Sequence, residues 1–294
     1  MKTHANLLIV GAGVVGCSAA YHLAKLGWKD IVVIDQGPLY ETGGSSSHAP
    51  GLVFQTNGSK MMCKFAQYTV DLFTQLGNDN EDGDPFYYKT GGIEVAYTKA
   101  RLEELKRKKG LATSYGLEAH MISAAEVRQH IPILDDSVIQ GGYFVPSDGD
   151  ARAWRAAGAM ARETIAMGAA EFYGHTLATD IEVENGRIRA INTTNGRIEC
   201  NQALLCTNIW GPVLAEKIGL RLPMNAVEHQ YLISEPLAEL AADKDIFIKH
   251  PILRHQDFSM YFRQHGDCYG VGAYKHDPLL VSAWDIGKDA MRPF

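Results

Sequence analysis

Residues 6–35 read NLLIVGAGVVGCSAAYHLAKLGWKDIVVID, a pattern from which the structure of the first part of the chain can be predicted. An apolar run ends in the spacing G-x-G-x-x-G at Gly11, Gly13 and Gly16, continues as a helical segment, and returns as a second apolar run that ends at Asp35. This order predicts a strand, a tight turn, a helix and a second strand, which is the unit that binds dinucleotides.

The three glycines of this motif each have a physical task. The first makes a tight turn, the second lets a diphosphate approach bare backbone, and the third allows the helix to pack closely on the strand. The diphosphate then lies at the helix N-terminus, where unpaired N–H groups and the helix dipole favour an anion. Asp35 can accept hydrogen bonds from both hydroxyls of an adenosine ribose, which favours NAD or FAD over NADP. A glycine turn that binds nothing is the alternative.

Composition and charge exclude several classes of protein. The 294 residues are long enough for two cores, and the hydrophobic fraction of 46% is ordinary for a globular protein. The net charge of −6 comes from interspersed acids and bases and gives no basic surface for nucleic acid. The five cysteines include no C-x-x-C, so neither a disulfide framework nor a metal site is predicted. With no apolar run of about 20 residues and no secretory signal, we expect a cytoplasmic protein without a membrane span.

A glycine- and serine-rich loop follows Asp35. Residues 36–51 are too polar and too rich in glycine to predict a strand or a helix, and they leave the end of a strand beside which α/β sheets bind their ligands. The serines and backbone N–H groups of this loop can then serve a diphosphate. His48 lies in its middle, where an exposed histidine without a function is the simplest interpretation.

Residues 43–57 read GGSSSHAPGLVFQTN and resemble the corresponding segment of the dimethylglycine oxidases. These enzymes belong, with the dimethylglycine and sarcosine dehydrogenases, to the D-amino-acid-oxidase-like family of FAD enzymes. In the dimethylglycine and sarcosine enzymes the histidine of this segment is bonded to the 8α carbon of the flavin ring, so the resemblance implies covalent FAD on His48. A neutral imidazole is a competent nucleophile for such a bond. The serine before His48, in place of a tryptophan, favours the bacterial oxidase branch.

The resemblance extends over residues 5–278 and includes further motifs. Residues 141–149 read GGYFVPSDG, and later segments resemble the antiparallel substrate sheet of the family. By this match His229 and Tyr261 are the catalytic residues that flank the amine and the flavin. An arginine would suit the substrate carboxylate, and Arg254 or Arg263 can supply it. Without the resemblance, these side chains would be interpreted as ordinary strand residues.

The cofactor-binding residues implied by the motif and the resemblance lie in the glycine turn, at the end of the second strand, in the serine-rich loop and on a later strand. They are Gly11, Gly13, Val14, Val15, Gly16, Asp35, Gln36, Gly44, Ser45, Ser46, Ser47, His48, Leu52 and Ala178. Ala178 matches a position on the adenine side in the family. Thr207 and Asn208 depart from the family, which has Ala-Gly where the backbone approaches the dinucleotide, and they leave the local geometry open.

Other patterns predict the elements around these sites. Asn-Gly pairs at 185–186 and 195–196 separate alternating segments and predict two hairpins. The spacing of Ser123 and Glu126 predicts a capping box. Residues 225–234 resemble the H-Q-Y strand of the family, which implies a strand there. Apolar periodicity predicts helices over residues 59–76 and 151–167, and the charged residues 99–109 predict a helix with a solvated face.

We therefore predict an α/β chain, α+β overall, with two interleaved domains. A Rossmann-like FAD-binding domain takes residues 1–85 and 140–220, and a partial antiparallel-sheet substrate domain takes residues 86–139 and 221–294. The family continues with a segment that completes the FAD domain and with a folate-binding region. We therefore expect a truncated chain, one part of a split enzyme that needs a second chain, or a degenerate copy.

The predicted activity is oxidation of an N-methyl group of a small secondary or tertiary amino acid by hydride transfer to flavin, with N,N-dimethylglycine as the first candidate. The site must favour the neutral amine, because an ammonium ion has no lone pair to stabilise the developing iminium. A non-catalytic FAD-binding fragment or subunit and an NAD-dependent dehydrogenase remain alternatives. The sequence separates neither oxidase from dehydrogenase nor dimethylglycine from sarcosine.

Overall fold

The computed structural model describes residues 1–41, 43–78 and 85–287. The chain forms two compact units. Unit 1 consists of Met1–Ala49, Ala153–Glu228 and Leu279–Phe294, and unit 2 of Pro50–Arg152 and His229–Pro278. The compact units divide the chain at other residues than the predicted domains do: residues 50–78, residue 85 and residues 140–152 belong to unit 2, and residues 221–228 and 279–287 belong to unit 1. The functional labels of the two domains stay predictions.

The described residues of the two units form short and medium-length strands. In chain order they are β1 (His4–Val10), β2 (Ile31–Ile34), β3 (Leu52–Val53), β4 (Tyr87–Tyr88), β5 (Gly92–Ala96), β6 (His120–Ile122), β7 (Gly141–Val145), β8 (Gly149–Ala151), β9 (Ala170–Tyr173), β10 (Ala178–Glu184), β11 (Arg187–Thr193), β12 (Gly196–Leu205), β13 (Ala226–Glu228), β14 (Tyr231–Ile233), β15 (Ile252–His255), β16 (Met260–His265), β17 (Cys268–Ala273) and β18 (Leu279–Val281).

The helices differ widely in length. In chain order they are α1 (Val14–Lys25), α2 (Ser45–His48), α3 (Lys60–Asn78), α4 (Lys99–Ser114), α5 (Ala124–His130), α6 (Ala153–Ala166) and α7 (Gly211–Glu216). Short 3-10 helices span Asp136–Val138, Asn208–Trp210, Ala238–Asp243 and Gln256–Phe258. Among the described residues, no helix is long and apolar enough to cross a membrane.

A six-stranded sheet of described residues forms the centre of unit 1. Its strand order is β10-β11-β12-β1-β2-β9, in which β12, β1, β2 and β9 are parallel and the hairpin strands β10 and β11 are antiparallel. The buried side chains of Leu8, Val32, Ile34, Ile191 and Ile198 belong to one core cluster of this unit. The separate ribbon of β13 and β18 is antiparallel. The predicted strand, glycine turn, helix and strand of residues 6–35 are confirmed.

Unit 2 contains a seven-stranded sheet with the order β14-β17-β16-β15-β5-β7-β6 and a small sheet with the order β3-β8-β4, within the described residues. One face of the large sheet carries a core that includes Ile93, Val95 and Leu253 and is closed by Val127 of α5 and Ile131 just after it. Because strand side chains alternate between faces, the neighbours of these core residues point to the opposite face. Arg254 and Tyr261 lie there, directly opposite each other on β15 and β16.

Several local predictions are confirmed. The first hairpin turns through Asn185 and Gly186 with φ values of 52° and 74°, the conformation that Asn-Gly favours. Ser123 and Glu126 form the capping box, with the Glu126 N–H donating to the Ser123 Oγ at 3.2 Å and the Ser123 N–H donating to Glu126 Oε2 at 2.7 Å. Helix α6 begins two residues later than predicted, because Gly149–Ala151 pairs as β8.

Two predictions were wrong. Residues 36–51 are not entirely loop, since Ser45–His48 forms the single helical turn α2. The predicted strand over residues 225–234 is two strands in different units: β13 pairs with β18 in unit 1, and β14 pairs with β17 in unit 2. The chain passes from one unit to the other at His229, where the strand pattern has no interruption that the sequence could reveal.

Candidate functional site

A cavity of about 730 Å³ lies in unit 1 at the carboxyl ends of β1, β2 and β12. This volume lies within the range of small-molecule and cofactor sites. Open α/β sheets bind ligands at this edge. Most of the predicted cofactor residues line the cavity: Gly11, Gly13, Val14, Val15, Asp35, Gln36, Gly44, Ser45, Ser46 and Ala178. Gly16, Ser47 and His48 are their chain neighbours in unit 1, whereas Leu52 lies on β3 of unit 2.

The glycine turn cannot accept side chains at two of its three glycines. Gly11 has a φ of 108°, and a Cβ there would lie 2.4 Å from the carbonyl oxygen of Cys206. A Cβ on Gly16 would lie 1.9 Å from the carbonyl oxygen of Gly11. The turn therefore presents bare backbone in front of α1. The N-cap residue Gly13 makes no side-chain cap, so the helix N-terminus is suited to an anionic ligand.

Asp35 is held in place by one backbone donor of the glycine turn and one from the residues that follow β2. The Ala12 N–H donates to Asp35 Oδ2 at 2.7 Å, and the Gly37 N–H donates to Oδ1 at 2.8 Å. Burial raises the pKa of this carboxyl above its ordinary value, against the two hydrogen bonds, which lower it. Ribose hydroxyls that donate to Asp35 would act with these N–H groups and stabilise the charged form.

Helix α2 is joined to the rim of the cavity by two serines. Ser46 Oγ accepts a hydrogen bond of 2.9 Å from the Val14 N–H, and Asn208 Nδ2 donates to Ser45 Oγ at 2.6 Å. The Ser47 hydroxyl oxygen is buried and has no hydrogen-bond partner among the described residues. Ser47 does not itself line the cavity, but it belongs to the same helical turn as Ser45 and Ser46, which do. These residues together fit a dinucleotide.

The structure shows how Asn208 is accommodated where the family has the glycine of an Ala-Gly pair. Its φ is 45°, a left-handed conformation that asparagine tolerates better than other side chains except glycine. Its amide reaches Ser45 instead of obstructing the turn. The substitution is therefore compatible with the local backbone.

The sequence analysis missed part of the cavity wall. Ala283, Trp284, Ile286 and Gly287 line the cavity, and Trp210 Nε1 donates to the Gly287 carbonyl oxygen at 3.0 Å. The apolar run that precedes them, β18, has only three residues and pairs with the distant β13. No local pattern in the tail predicts this pairing.

The second group of predicted residues lies in unit 2. His229 Nε2 and Tyr261 Oη are 2.9 Å apart. The His229 ring stacks on Tyr274 with ring centroids 4.2 Å apart and an angle of 10° between the planes. Burial, together with the nearby His276, lowers the pKa of His229, and burial raises the pKa of Tyr261. The imidazole is therefore neutral and the phenol protonated at neutral pH.

Strand β17 makes room for this aromatic group with two glycines. A Cβ on Gly272 would lie 2.1 Å from Tyr261 Cζ, and a Cβ on Gly270 would lie 1.8 Å from Tyr231 Oη. Tyr231 stacks on Tyr261 at 5.9 Å. Its hydroxyl lies 2.8 Å from His265 Nε2. The alternating glycines of residues 270–272 are the sequence signal for this packing.

No cluster of three or more histidine, cysteine, aspartate or glutamate side chains in the described ranges is placed to hold a metal ion. The cavity residues of unit 1 are suited to bind a dinucleotide. The imidazole–phenol pair of unit 2 can accept or donate a proton.

Three curated relatives match nearly the whole chain. Mitochondrial sarcosine dehydrogenase of Mus musculus is 28% identical over 95% of this chain, and mitochondrial dimethylglycine dehydrogenase of Homo sapiens is 28% identical over 93%. The mitochondrial pyruvate dehydrogenase phosphatase regulatory subunit of Mus musculus is 29% identical over 96%. The matches cover 30%, 31% and 31% of these three proteins, so the chain spans just under a third of their length.

The fold has solved counterparts. The crystal structure of L-proline dehydrogenase from P. horikoshii superposes with a TM-score of 0.80 at 21% identity, over 93% of this chain and 70% of that chain. The family model described as DAO, FAD dependent oxidoreductase, matches residues 6–290. The chain therefore belongs to the DAO family of FAD dependent oxidoreductases, and FAD is its cofactor.

Proposed function

We propose that this chain is the flavin-binding and amine-binding part of an enzyme that oxidises an N-methyl group of a small amino acid, with N,N-dimethylglycine as the first candidate and sarcosine as the second. The observation that carries the proposal is the 2.9 Å pair of His229 and Tyr261 in a chain of an FAD-dependent family. The names of two relatives, sarcosine and dimethylglycine dehydrogenase, support this substrate class.

The cavity residues of unit 1 would hold the cofactor. Gly11, Gly13 and the N-terminus of α1 suit the diphosphate, Ser45 and Ser46 border it, and Asp35 suits the ribose. We further propose that His48 forms the covalent bond to the flavin, which rests on the resemblance of residues 43–57. Bound FAD supplies the two-electron acceptor, and it is favoured over NAD by the family match.

His229 and Tyr261 would control the protonation of the amine. An N-methyl amine is mostly an ammonium ion in water and has no lone pair until it loses a proton. Tyr261 Oη can accept that proton while its own proton passes along the 2.9 Å hydrogen bond to Nε2 of the neutral His229. The carbon–hydrogen bond of the methyl group is then weakened by the nitrogen lone pair.

The relatives are about three times longer than this chain, so we propose that a further segment or a partner chain completes the enzyme. A folate-binding region is the candidate that the resemblance implies. A second candidate function is a non-catalytic FAD-binding subunit, since one relative is a regulatory subunit by name. The cytoplasmic location stays a prediction from the sequence.

Anaerobic flavin reduction tests the proposed function. We expect N,N-dimethylglycine or sarcosine to bleach the yellow colour of the purified chain after loading with FAD, whereas N,N,N-trimethylglycine, a quaternary ammonium without a lone pair, leaves it unchanged. Bound flavin that neither amine bleaches would favour the non-catalytic subunit. A chain that takes up no FAD would contradict both candidates.

The pH dependence of bleaching tests the role of His229. Because burial and His276 lower the pKa of His229, its protonation occurs below the ordinary value of 6.5, and the acidic limb of the rate profile should lie below pH 6.5. His276→Ala removes one cause, so we expect the limb to move to higher pH, and His229→Gln should remove it. Stopped-flow rates between about pH 5 and pH 8 measure the limb. An unchanged limb in both variants would exclude His229 as the titrating group.

A further inference from the structure

Residues 282–287, which we call the strap, follow β18 and form part of the wall of the unit 1 cavity. Every residue that lines this cavity belongs to unit 1. The glycine turn and α2 are the parts of the wall that suit a diphosphate, and Asp35 suits a ribose. Both groups belong to the ADP half of FAD. The strap therefore borders the space in which this half would be bound.

The strap is held at both ends by contacts within unit 1. Before its first residue, Val281 of β18 pairs with Ala226 of β13, and Ala283 within the strap is buried. At its last residue, the carbonyl oxygen of Gly287 accepts a hydrogen bond of 3.0 Å from Trp210 Nε1. Because a short segment fixed at both ends has little conformational freedom left, ordering it against a ligand costs little further entropy.

Trp210 connects the strap to the serine-containing turn α2. A Cβ on Gly44 would lie 3.4 Å from Cζ3 of Trp210, so the indole packs against the N-cap residue of α2. In the same turn, Ser46 accepts the hydrogen bond from the Val14 N–H at the start of α1. Contacts therefore run from the strap to the helix N-terminus that suits the diphosphate. A ligand that binds there would stabilise the strap as well.

Trp284 is the large apolar residue of the strap at the cavity. The Asp285 N–H donates to the Ser282 carbonyl oxygen at 3.0 Å, so the strap turns through Ala283 and Trp284. Trp284 lines the cavity and is nevertheless 59% exposed. An indole at a cavity wall offers a large, rigid apolar surface that a bound nucleotide can cover.

We propose that the strap closes over the ADP half of the bound cofactor, with the indole of Trp284 covering the ligand and Trp210 holding the strap through Gly287. This inference rests on the cofactor part of the proposed function and is independent of the amine chemistry. Apolar surface buried between Trp284 and the nucleotide stabilises the complex. Because the strap must open before the cofactor leaves, it controls the rate of release.

The rate of FAD dissociation tests this inference. It is measured in the His48→Ala chain, where FAD can leave whether or not the unmodified chain binds it covalently, with excess ADP to prevent rebinding and flavin fluorescence to follow release. We expect Trp284→Ala to raise the rate roughly 10- to 100-fold, because the nucleotide loses its aromatic cover. Trp210→Phe keeps a ring but removes the N–H that donates to Gly287, and should raise the rate roughly 2- to 10-fold.

Trp28→Ala is the matched control, since Trp28 is a half-buried tryptophan of unit 1 that follows the far end of α1. It should leave the release rate unchanged. A Trp284→Ala chain that releases FAD no faster than its parent, or no faster than Trp28→Ala, would overturn the inference and leave the flavin-bleaching test standing. A His48→Ala chain that binds neither FAD nor ADP would overturn the cavity assignment together with the strap.

Hydrogen exchange in the flavin-free His48→Ala chain decides the question even if the tryptophan variants do not fold. We expect ADP to slow exchange of the backbone amides of residues 282–287, because the closed strap is ordered over the nucleotide. Riboflavin, which lacks the ADP half, should leave their exchange unchanged. Exchange that ADP does not slow, or that riboflavin slows as much as ADP does, would contradict closure over the ADP half.

Discussion

Replacing His48 with alanine is expected to move the yellow colour of the acid-denatured protein from the pellet to the supernatant. Acid unfolds the chain and releases a cofactor held only by contacts, whereas a covalent bond to the flavin ring survives. His48 is the last residue of α2, whose serines join it to Val14 and Asn208 at the cavity. The remaining contacts of the cavity should still bind FAD in the variant before denaturation.

The control for this experiment is His22→Ala, which removes another histidine of unit 1 that lies on α1 and contacts the Ser18 carbonyl oxygen at 2.7 Å. Its pellet should stay yellow. A yellow pellet from His48→Ala would place the bond on another residue. A yellow supernatant from the unmodified chain would mean that FAD binds without a covalent bond.

Gly16→Ala is expected to abolish flavin binding and to lower the free energy of unfolding by about 3 kcal/mol. The new Cβ would lie 1.9 Å from the Gly11 carbonyl oxygen, which belongs to the backbone of the turn and cannot rotate away. Helix α1 would have to move off β1, and the diphosphate would lose the helix N-terminus that faces it. Thermal unfolding with and without FAD measures both effects.

Gly110→Ala is the control, because this glycine-to-alanine change is expected to raise stability rather than lower it. Gly110 lies within α4, and a Cβ there would have no heavy atom within 4 Å. Alanine should therefore stabilise this helix by about 0.5–1 kcal/mol. If Gly16→Ala unfolds at the same temperature as the unmodified chain and retains FAD, the close contact between helix and turn is not needed for the site.

Short-range patterns predicted the strand–helix–strand unit that carries the candidate cofactor residues. The glycine spacing, the apolar runs and the terminal Asp35 all act within one strand–helix–strand unit, where local geometry decides the structure. The Asn-Gly turn at 185–186 and the capping box at Ser123 are local for the same reason. The helical turn of α2 was missed because its three serines are poor helix formers, and the contacts of Ser45 and Ser46 with distant residues hold it.

Long-range pairing could not be predicted in this way. The division of the H-Q-Y segment between two units depends on β18 and β17, which lie far along the chain. Arg263 pairs with Asp150 and Arg254 does not, although their positions on neighbouring strands of one face are otherwise alike. Spacing in the sequence carries no information on such partners.

The candidate cofactor cavity is assembled from three separated stretches of chain, and this has a consequence for biosynthesis. The glycine turn is made first, but Trp284 and Gly287, which close the wall, leave the ribosome only after the whole of unit 2. Contacts of such high sequence separation form late and slowly during folding. Flavin incorporation should therefore follow synthesis of the first 287 residues, so nascent chains arrested before β18 should capture no flavin.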